Sequence, residues 1–136
     1  GMSSRLFRVV RDKRNLAYSI FGDLNANKYF SYSYIYAGAM KENIEKIKKI
    51  ILEEFKKVSR KLSKKELEAT KKQLIGNYRI SMENSEGQMN QLLLSEIDGK
   101  VNEFYEFEKN IRAVRLKDVK KLAQIRKYSF FALVPE

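Results

Sequence analysis

The chain has 136 residues and a net charge of +11, from 28 lysines and arginines against 17 aspartates and glutamates, and it contains neither histidine nor cysteine. The absence of both residue types excludes disulfides and removes the nitrogen and thiolate ligands of ordinary zinc, copper and non-haem iron sites. It also removes the commonest general base and every Ser-His or Cys-His nucleophile, so we expect one domain-sized unit that does not catalyse a reaction alone.

The first 40 residues predict a short basic helix followed by a β-hairpin. Ser3 or Ser4 is placed to cap a helix that ends near Asn15. Two alternating segments, residues 16–22 and 29–37, flank a turn-like Asp-Leu-Asn-Ala-Asn stretch and are predicted to be antiparallel strands. The aromatic alternation of the second strand indicates core and cross-strand packing, and an edge that receives an extended substrate is the alternative.

Two long helices are predicted next. The first runs from Lys41 to Lys61 and covers the sheet with apolar residues at positions 44, 47, 51, 55 and 58. Ser63 and Glu66 have the spacing of a capping box, which predicts a second helix to about Asn84. Its apolar side is predicted to comprise Leu67, Leu74, Tyr78 and Met82.

The last third of the chain is predicted to hold three shorter helices and a strand. The first of these helices ends at Asp98-Gly99, where glycine suits the left-handed position after a helix. Two more helices are expected around residues 104–111 and 119–123, and the apolar stretch 128–134 is predicted to be a strand.

This order of elements predicts an α+β fold with an antiparallel-rich sheet and helices packed on one face. A sheet of three strands leaves open edges, and the sequence begins within a helix. Residues 1–136 are therefore expected to form a single partial domain.

Several short stretches resemble the C-terminal domain of the insulinase, pitrilysin and mitochondrial processing peptidase family of zinc metalloendopeptidases. They begin with Gly-Met-Ser-Ser-Arg-Leu-Phe at 1–7 and Val-Arg-Asp-Lys-Arg-Asn-Leu-Ala-Tyr-Ser at 10–19, and continue at 34–38, 62–68, 72–79, 85–88 and 116–119. The resemblance implies a half-domain of the processing-peptidase type that lacks its first strand-helix segment. Exposed apolar surface on such a fragment predicts self-association.

The resemblance also implies two facing halves with different roles, one in zinc binding and the other in substrate binding. The other half, a separate domain or a partner subunit, carries an H-x-x-E-H motif and is expected to hold the Zn²⁺ ion. In this chain the resemblance assigns Arg11 and Tyr18 to binding the peptide substrate and stabilising its transition state. An arginine fork and a phenol hydroxyl can both donate hydrogen bonds to a carbonyl or to a developing oxyanion.

Simpler roles for the same two residues stay open. Arg11 could stabilise the C-terminus of the first helix through the helix dipole, and Tyr18 could pack on the sheet. A third possibility is an inactive structural or partner subunit of a peptidase assembly, since the family includes members without activity.

A basic nucleic-acid-binding module is the alternative from another functional class. It would use the exposed hairpin aromatics together with the cations Arg5, Arg8, Arg11, Lys13 and Arg14. Elsewhere the lysines alternate with glutamates at helical spacing, which is typical of solvated helix faces, so a nucleic-acid partner is not expected. No apolar run has the length of a membrane span and no signal peptide is recognised, so we expect no membrane partner and a cytoplasmic location.

Overall fold

A computed structural model describes residues 5–26, 28–125 and 127–134. A π-helical turn at Phe7–Asp12 is followed by the strands β1 (Ser19–Ala26) and β2 (Ser31–Gly38) and a 3₁₀ turn at Lys41–Asn43. Five helices complete the order: α1 (Ile44–Lys61), α2 (Lys64–Ser81), α3 (Ser85–Ile97), α4 (Val101–Ala113) and α5 (Leu116–Leu122). The predicted α+β class is confirmed. The predicted caps Ser3 and Ser4 lie outside the described residues.

The chain forms two compact units. The first contains residues 1–26, 31–61 and 120–136, and the second contains residues 27–30 and 62–119. Within the described part of the chain, no helix combines the length and the apolar character that a membrane-spanning segment requires.

The hairpin of the first unit is antiparallel, as predicted, with Ser19 opposite Gly38 and Ala26 opposite Ser31. One face of it contributes Ile20 to a buried cluster that also contains Leu6, Val10, Leu16, Ala17, Ile47 and Ile50. Ile35 and Ala37 pack against the same cluster from β2. Helices thus cover one face of the sheet, as the sequence predicts.

The other face of the hairpin, the aromatic face, carries the side chains of Phe21, Tyr32, Tyr34 and Tyr36, which are 44 to 51% exposed. The ring centroid of Phe21 lies 5.2 Å from that of Tyr36 and 6.3 Å from that of Tyr34, so the predicted cross-strand packing is confirmed. The predicted placement of these rings in the core is wrong. Because successive side chains alternate between the faces of a strand, seating Ile35 and Ala37 in the core turns the tyrosines outward.

Helix α1 buries a slightly different stripe from the predicted one. Ile47 and Val58 are buried as expected, whereas Ile51 and Phe55 are only half-buried. Ile50 and Glu54 are buried in addition. The stripe is thus rotated about the helix axis, and the rotation carries a carboxylate into the interior.

The predicted strand at 128–134 is wrong. The described residues of this segment form no strand, and the sheet contains β1 and β2 alone. Alternation of apolar residues favours extended backbone, but a strand forms only where that backbone bonds to a neighbouring edge. The segment still contacts α1, since Lys48 Nζ lies 4.4 Å from the centroid of the Phe130 ring.

The second unit is built from α2, α3 and α4. The predicted capping box is confirmed: Ser63 Oγ accepts from the backbone N–H of Glu66, and the Glu66 carboxylate accepts from the backbone N–H of Ser63. Helix α2 ends at Ser81 rather than near Asn84, because Asn84 caps the next helix. Leu67 is buried as predicted, but Leu74 is 45% exposed and Ile75 is buried instead.

Helices α2 and α4 are joined by an aromatic stack and by polar contacts. The ring of Tyr78 stacks on Phe107 with centroids 4.1 Å apart, and its hydroxyl donates to the Phe104 carbonyl at 2.9 Å. The guanidinium of Arg79 donates two hydrogen bonds, at 2.6 and 2.7 Å, to the carboxylate of Glu108. Helix α3 ends as predicted, with Gly99 in the left-handed region at φ 69°.

Candidate functional site

The candidate site lies at the corner between the N-terminal helix, whose described part is residues 5–12, and β1. The helix is closed by backbone hydrogen bonds from Lys13 to the carbonyl of Arg8 and from Asn15 to that of Arg11, at 3.0 and 2.8 Å. Asn15 then adopts the left-handed region at φ 50°, a conformation that asparagine tolerates better than most residues. The chain turns there and enters the core at Leu16.

Buried residues on both sides hold this corner in place. Leu6 and Val10 are fully buried on the helix, and Leu16 and Ala17 are buried after the turn. The N–H of Leu16 donates to the Val10 carbonyl at 3.0 Å. Apolar anchors and closed backbone hydrogen bonds give the corner a defined geometry.

Arg11 lies in the last turn of the N-terminal helix, and its side chain is exposed. Its guanidinium carbon is 4.9 Å from the centroid of the Phe7 ring, one turn earlier, which is a cation–π contact. Within the described residues no carboxylate or carbonyl is paired with this guanidinium. The ring contact restricts the side chain while its N–H donors stay able to bind an acceptor.

Tyr18 precedes β1 and is 65% exposed. Its backbone N–H donates to the carbonyl of Gly38 at 2.8 Å, so the backbone of Tyr18 continues the β1–β2 pairing by one residue. The ring is therefore attached to the end of the hairpin and is largely accessible. Arg11 and Tyr18 are thus two exposed hydrogen-bond donors at the two ends of one corner.

Two residues that the sequence did not single out help to hold this corner. Asn43 Nδ2 donates to the Leu16 carbonyl at 3.2 Å, which ties the corner to the turn before α1. Gly38, whose carbonyl binds Tyr18, has little space, because a Cβ there would lie 3.0 Å from Ser19 Oγ. The resembling stretch at 34–38 contained Gly38, whereas nothing in the sequence pointed to Asn43.

The other cations of the N-terminal helix and of the turn that follows it are also exposed. Arg8, Lys13 and Arg14 are accessible, and Arg14 Nη1 donates to the Val9 carbonyl at 3.0 Å. Among the residues predicted for a nucleic-acid surface, Arg5 instead contacts the buried Glu54, with 3.7 Å between Nη1 and Oε2. The five predicted cations therefore do not form one uniformly solvated patch.

The donor atoms of this chain do not fit a zinc ion. The sequence offers no imidazole and no thiolate. In the described ranges, moreover, no three acidic side chains converge as a metal site would require. Hydrogen-bond donation, rather than metal binding, is the chemistry available at this corner.

Comparison with known proteins identifies the family. The family described as the Peptidase M16 inactive domain matches residues 1–74, which include the corner, the hairpin and α1. The uncharacterized zinc protease YmxG of Bacillus subtilis is 32% identical over 91% of this chain, and that overlap is 31% of YmxG. The uncharacterized zinc protease Rv2782c of Mycobacterium tuberculosis is 28% identical over 99% of this chain and 32% of its own length.

The chain thus spans about a third of the length of these relatives. An uncharacterized zinc protease of Rickettsia bellii is 31% identical over 61% of this chain and 20% of that protein. The family match covers more than half of the chain and includes both Arg11 and Tyr18. As its sequence predicts, the chain belongs to the M16 peptidase family, as its inactive, non-catalytic C-terminal domain.

Proposed function

We propose that this chain forms the substrate-binding half of a zinc-dependent endopeptidase, opposite a zinc site held by another domain or subunit. Its substrates are peptides or unfolded polypeptides. The observation that carries the proposal is the corner itself, which presents Arg11 and Tyr18 as exposed donors on an anchored backbone. The names of the relatives, each a zinc protease, support the same reading.

The two side chains have complementary roles in this proposal. Arg11 offers a fixed positive charge and several N–H donors, which suit a peptide carbonyl that gains negative charge during hydrolysis. Tyr18 offers a neutral hydroxyl donor to the same carbonyl or to its neighbour. Both bind the peptide backbone, so the site accepts varied side chains.

The test uses the complete peptidase assembly that contains this chain and a quenched fluorescent, unstructured peptide, with and without a chelator. Tyr18→Phe removes one hydroxyl donor, and we expect kcat to fall roughly 10- to 100-fold. Zinc content is expected to stay unchanged. Tyr105→Phe is the matched control, because Tyr105 is 72% exposed and belongs to the second unit.

Arg11→Ala provides an independent second variant, with Arg8→Ala on the same helix as its charge-matched control. We expect Arg11→Ala to lower kcat/KM more than Arg8→Ala does. Equal rates in wild type, Tyr18→Phe and Arg11→Ala would contradict the proposed site. An assembly that cleaves no peptide and binds no zinc would identify the chain as a structural or partner subunit.

A further inference from the structure

A buried carboxylate, Glu54, lies on the side of α1 that faces the core. It is 2% exposed and shares the buried stripe of Ile47, Ile50 and Val58. Removing a carboxylate from water is unfavourable unless the charge is paired and hydrogen-bonded. An apolar residue would complete the stripe without that cost, so a carboxylate here calls for a specific partner.

Among the described residues, Glu54 has two cationic partners. Its Oε1 accepts a hydrogen bond from Lys57 Nζ at 2.6 Å, and its Oε2 lies 3.7 Å from Arg5 Nη1. Lys57 is on the same helix, three residues on, and its side chain is 53% exposed. Arg5 comes from a different element, and its side chain is only 23% exposed. The contact with Arg5 therefore links α1 to the described part of the N-terminal helix.

This link bears on the candidate site because Arg5 and Arg11 belong to one continuous helical segment. Leu6 and Val10 bury the same segment through apolar contacts. Such contacts are non-directional and allow a short helix to rotate or slide, whereas an ion pair between Arg5 and Glu54 at 3.7 Å attracts one particular residue of the helix to one position on α1. Glu54 thus adds a charge contact to Arg5, about two turns before Arg11 on the same helical segment.

We propose that Glu54 is a positioning residue, which holds Arg5 and thereby fixes the direction in which the N-terminal helix presents Arg11 to the peptide substrate. The inference rests on the proposed function, since it acts through Arg11. Displacing a substrate-binding group by about an ångström is enough to lower an enzymatic rate by up to roughly 100-fold.

The experiment is a double-mutant cycle in the complete peptidase assembly, with Glu54→Gln and Arg11→Ala alone and combined. We expect Glu54→Gln to lower kcat at least about 10-fold, with zinc content unchanged. In the Arg11→Ala background the same substitution is expected to cause no further loss, because coupled residues are not additive. Glu53→Gln is the control, since it removes the same charge from the neighbouring, exposed position.

The outcomes separate this inference from the proposed function. If Arg11→Ala leaves cleavage unchanged, the positioning role is overturned, and the proposed function then depends on the result for Tyr18→Phe. Arg11→Ala could lower cleavage while Glu54→Gln lowers kcat by the same factor in the wild-type and Arg11→Ala backgrounds. In that case the proposed function stands and the positioning role is overturned. An effect of Glu54→Gln no larger than that of Glu53→Gln overturns it as well.

A second variant covers the case in which Glu54→Gln does not fold. Arg5→Gln leaves Glu54 paired with Lys57 and removes the guanidinium that contacts Glu54 from the other element. We expect it to lower kcat in the wild-type background and to add nothing to Arg11→Ala. Wild-type kcat in a folded Arg5→Gln assembly would overturn the proposal.

Discussion

Two charged residues are buried in the described part of the chain, Glu54 and Lys71, and both have partners from their surroundings. Lys71 Nζ donates to the carbonyl of Arg112 at 2.8 Å and lies 3.1 Å from a carboxylate oxygen of Glu68. No buried side-chain nitrogen or oxygen among the described residues lacks a hydrogen-bond partner. The burial of Lys71 could not be predicted from the sequence, because the chain is rich in lysine and the neighbouring lysines are exposed to solvent.

Glu108 provides a prediction about pH. Hydrogen bonds from Arg79 hold the pKa of the Glu108 carboxyl below its usual value of 4.5. Since the folded pKa is lower than the unfolded one, the pair stabilises the fold above pH 4.5, and this contribution is lost as the pH falls through the folded pKa. Glu108→Gln should therefore lower the urea midpoint at neutral pH and make little difference at strongly acidic pH.

The matched control for this prediction is Glu96→Gln, which removes the same charge where no ion pair is formed within the described ranges. Its urea midpoint should follow that of the wild type across the pH series. A constant difference between wild type and Glu108→Gln from neutral to acidic pH would show that the ion pair is not the cause.

Two glycines are predicted to respond to alanine with opposite signs. A Cβ at Gly87 would overlap the carbonyl oxygen of Ser81 and lie 3.2 Å from Asn84 Oδ1, so Gly87→Ala should lower the free energy of unfolding by about 1–3 kcal/mol. Gly76 lies inside α2 with open space around its Cβ position. Gly76→Ala should raise the free energy of unfolding by about 0.5–1 kcal/mol. Urea denaturation of both variants is the measurement, and destabilisation by Gly76→Ala would contradict the argument.

At the scale of elements, the capping box of α2 is a feature that the local sequence is sufficient to predict. The Ser63 hydroxyl accepts from the N–H of Glu66 at 3.2 Å, and the Glu66 carboxylate accepts from the N–H of Ser63 at 3.1 Å. Both bonds lie within four consecutive residues, so spacing alone was enough to predict them. The α2 start and the Gly99 stop were predicted for the same reason, because each depends on nearby backbone.

Removing that cap gives an element-scale prediction. Ser63→Ala leaves an N–H at the start of α2 without its acceptor and should lower the free energy of unfolding by about 1 kcal/mol. Ser59→Ala is the control, since Ser59 Oγ only donates to the carbonyl of Lys56 within α1. Equal urea midpoints for the two variants would contradict a capping role for Ser63.

The strands show that a local sequence pattern is not sufficient to predict strand formation. The hairpin was predicted because its pattern and turn are close in sequence, yet the segment 128–134 has a similar pattern and forms no strand. Strand formation needs a second edge, and the pattern of one segment says nothing about whether an edge is available. The rotation of the buried stripe of α1 also depends on contacts between elements, because the packing of neighbouring elements determines which positions of the helix become buried.

At the scale of the molecule, the described surface includes two groups of exposed apolar side chains. The aromatic face of the hairpin is exposed, and α3 has no buried residue. The exposed side chains of α3 include Met89, Leu92, Leu93, Leu94 and Ile97, at 37 to 66%. Apolar surface of this kind is characteristic of an interaction site.

The isolated 136-residue chain is therefore expected to self-associate. Its mean mass in light scattering or sedimentation should rise with protein concentration, and added salt should not prevent this, because the contacts are apolar. Leu93→Lys combined with Ile97→Lys should reduce the effect. One constant monomeric mass up to the highest concentration would contradict this prediction.

The sequence by itself determined the α+β class, the hairpin, the capping box of α2, the Gly99 stop and the family, because each depends on residue types and short-range spacing that folding does not alter. It also pointed to Arg11 and Tyr18 through the resemblance. Only the tertiary structure decided that the tyrosines face outward, that Glu54 and Lys71 are buried, and that 128–134 is not a strand. These outcomes depend on which surfaces meet, and contacts between residues distant in sequence leave little trace in local patterns.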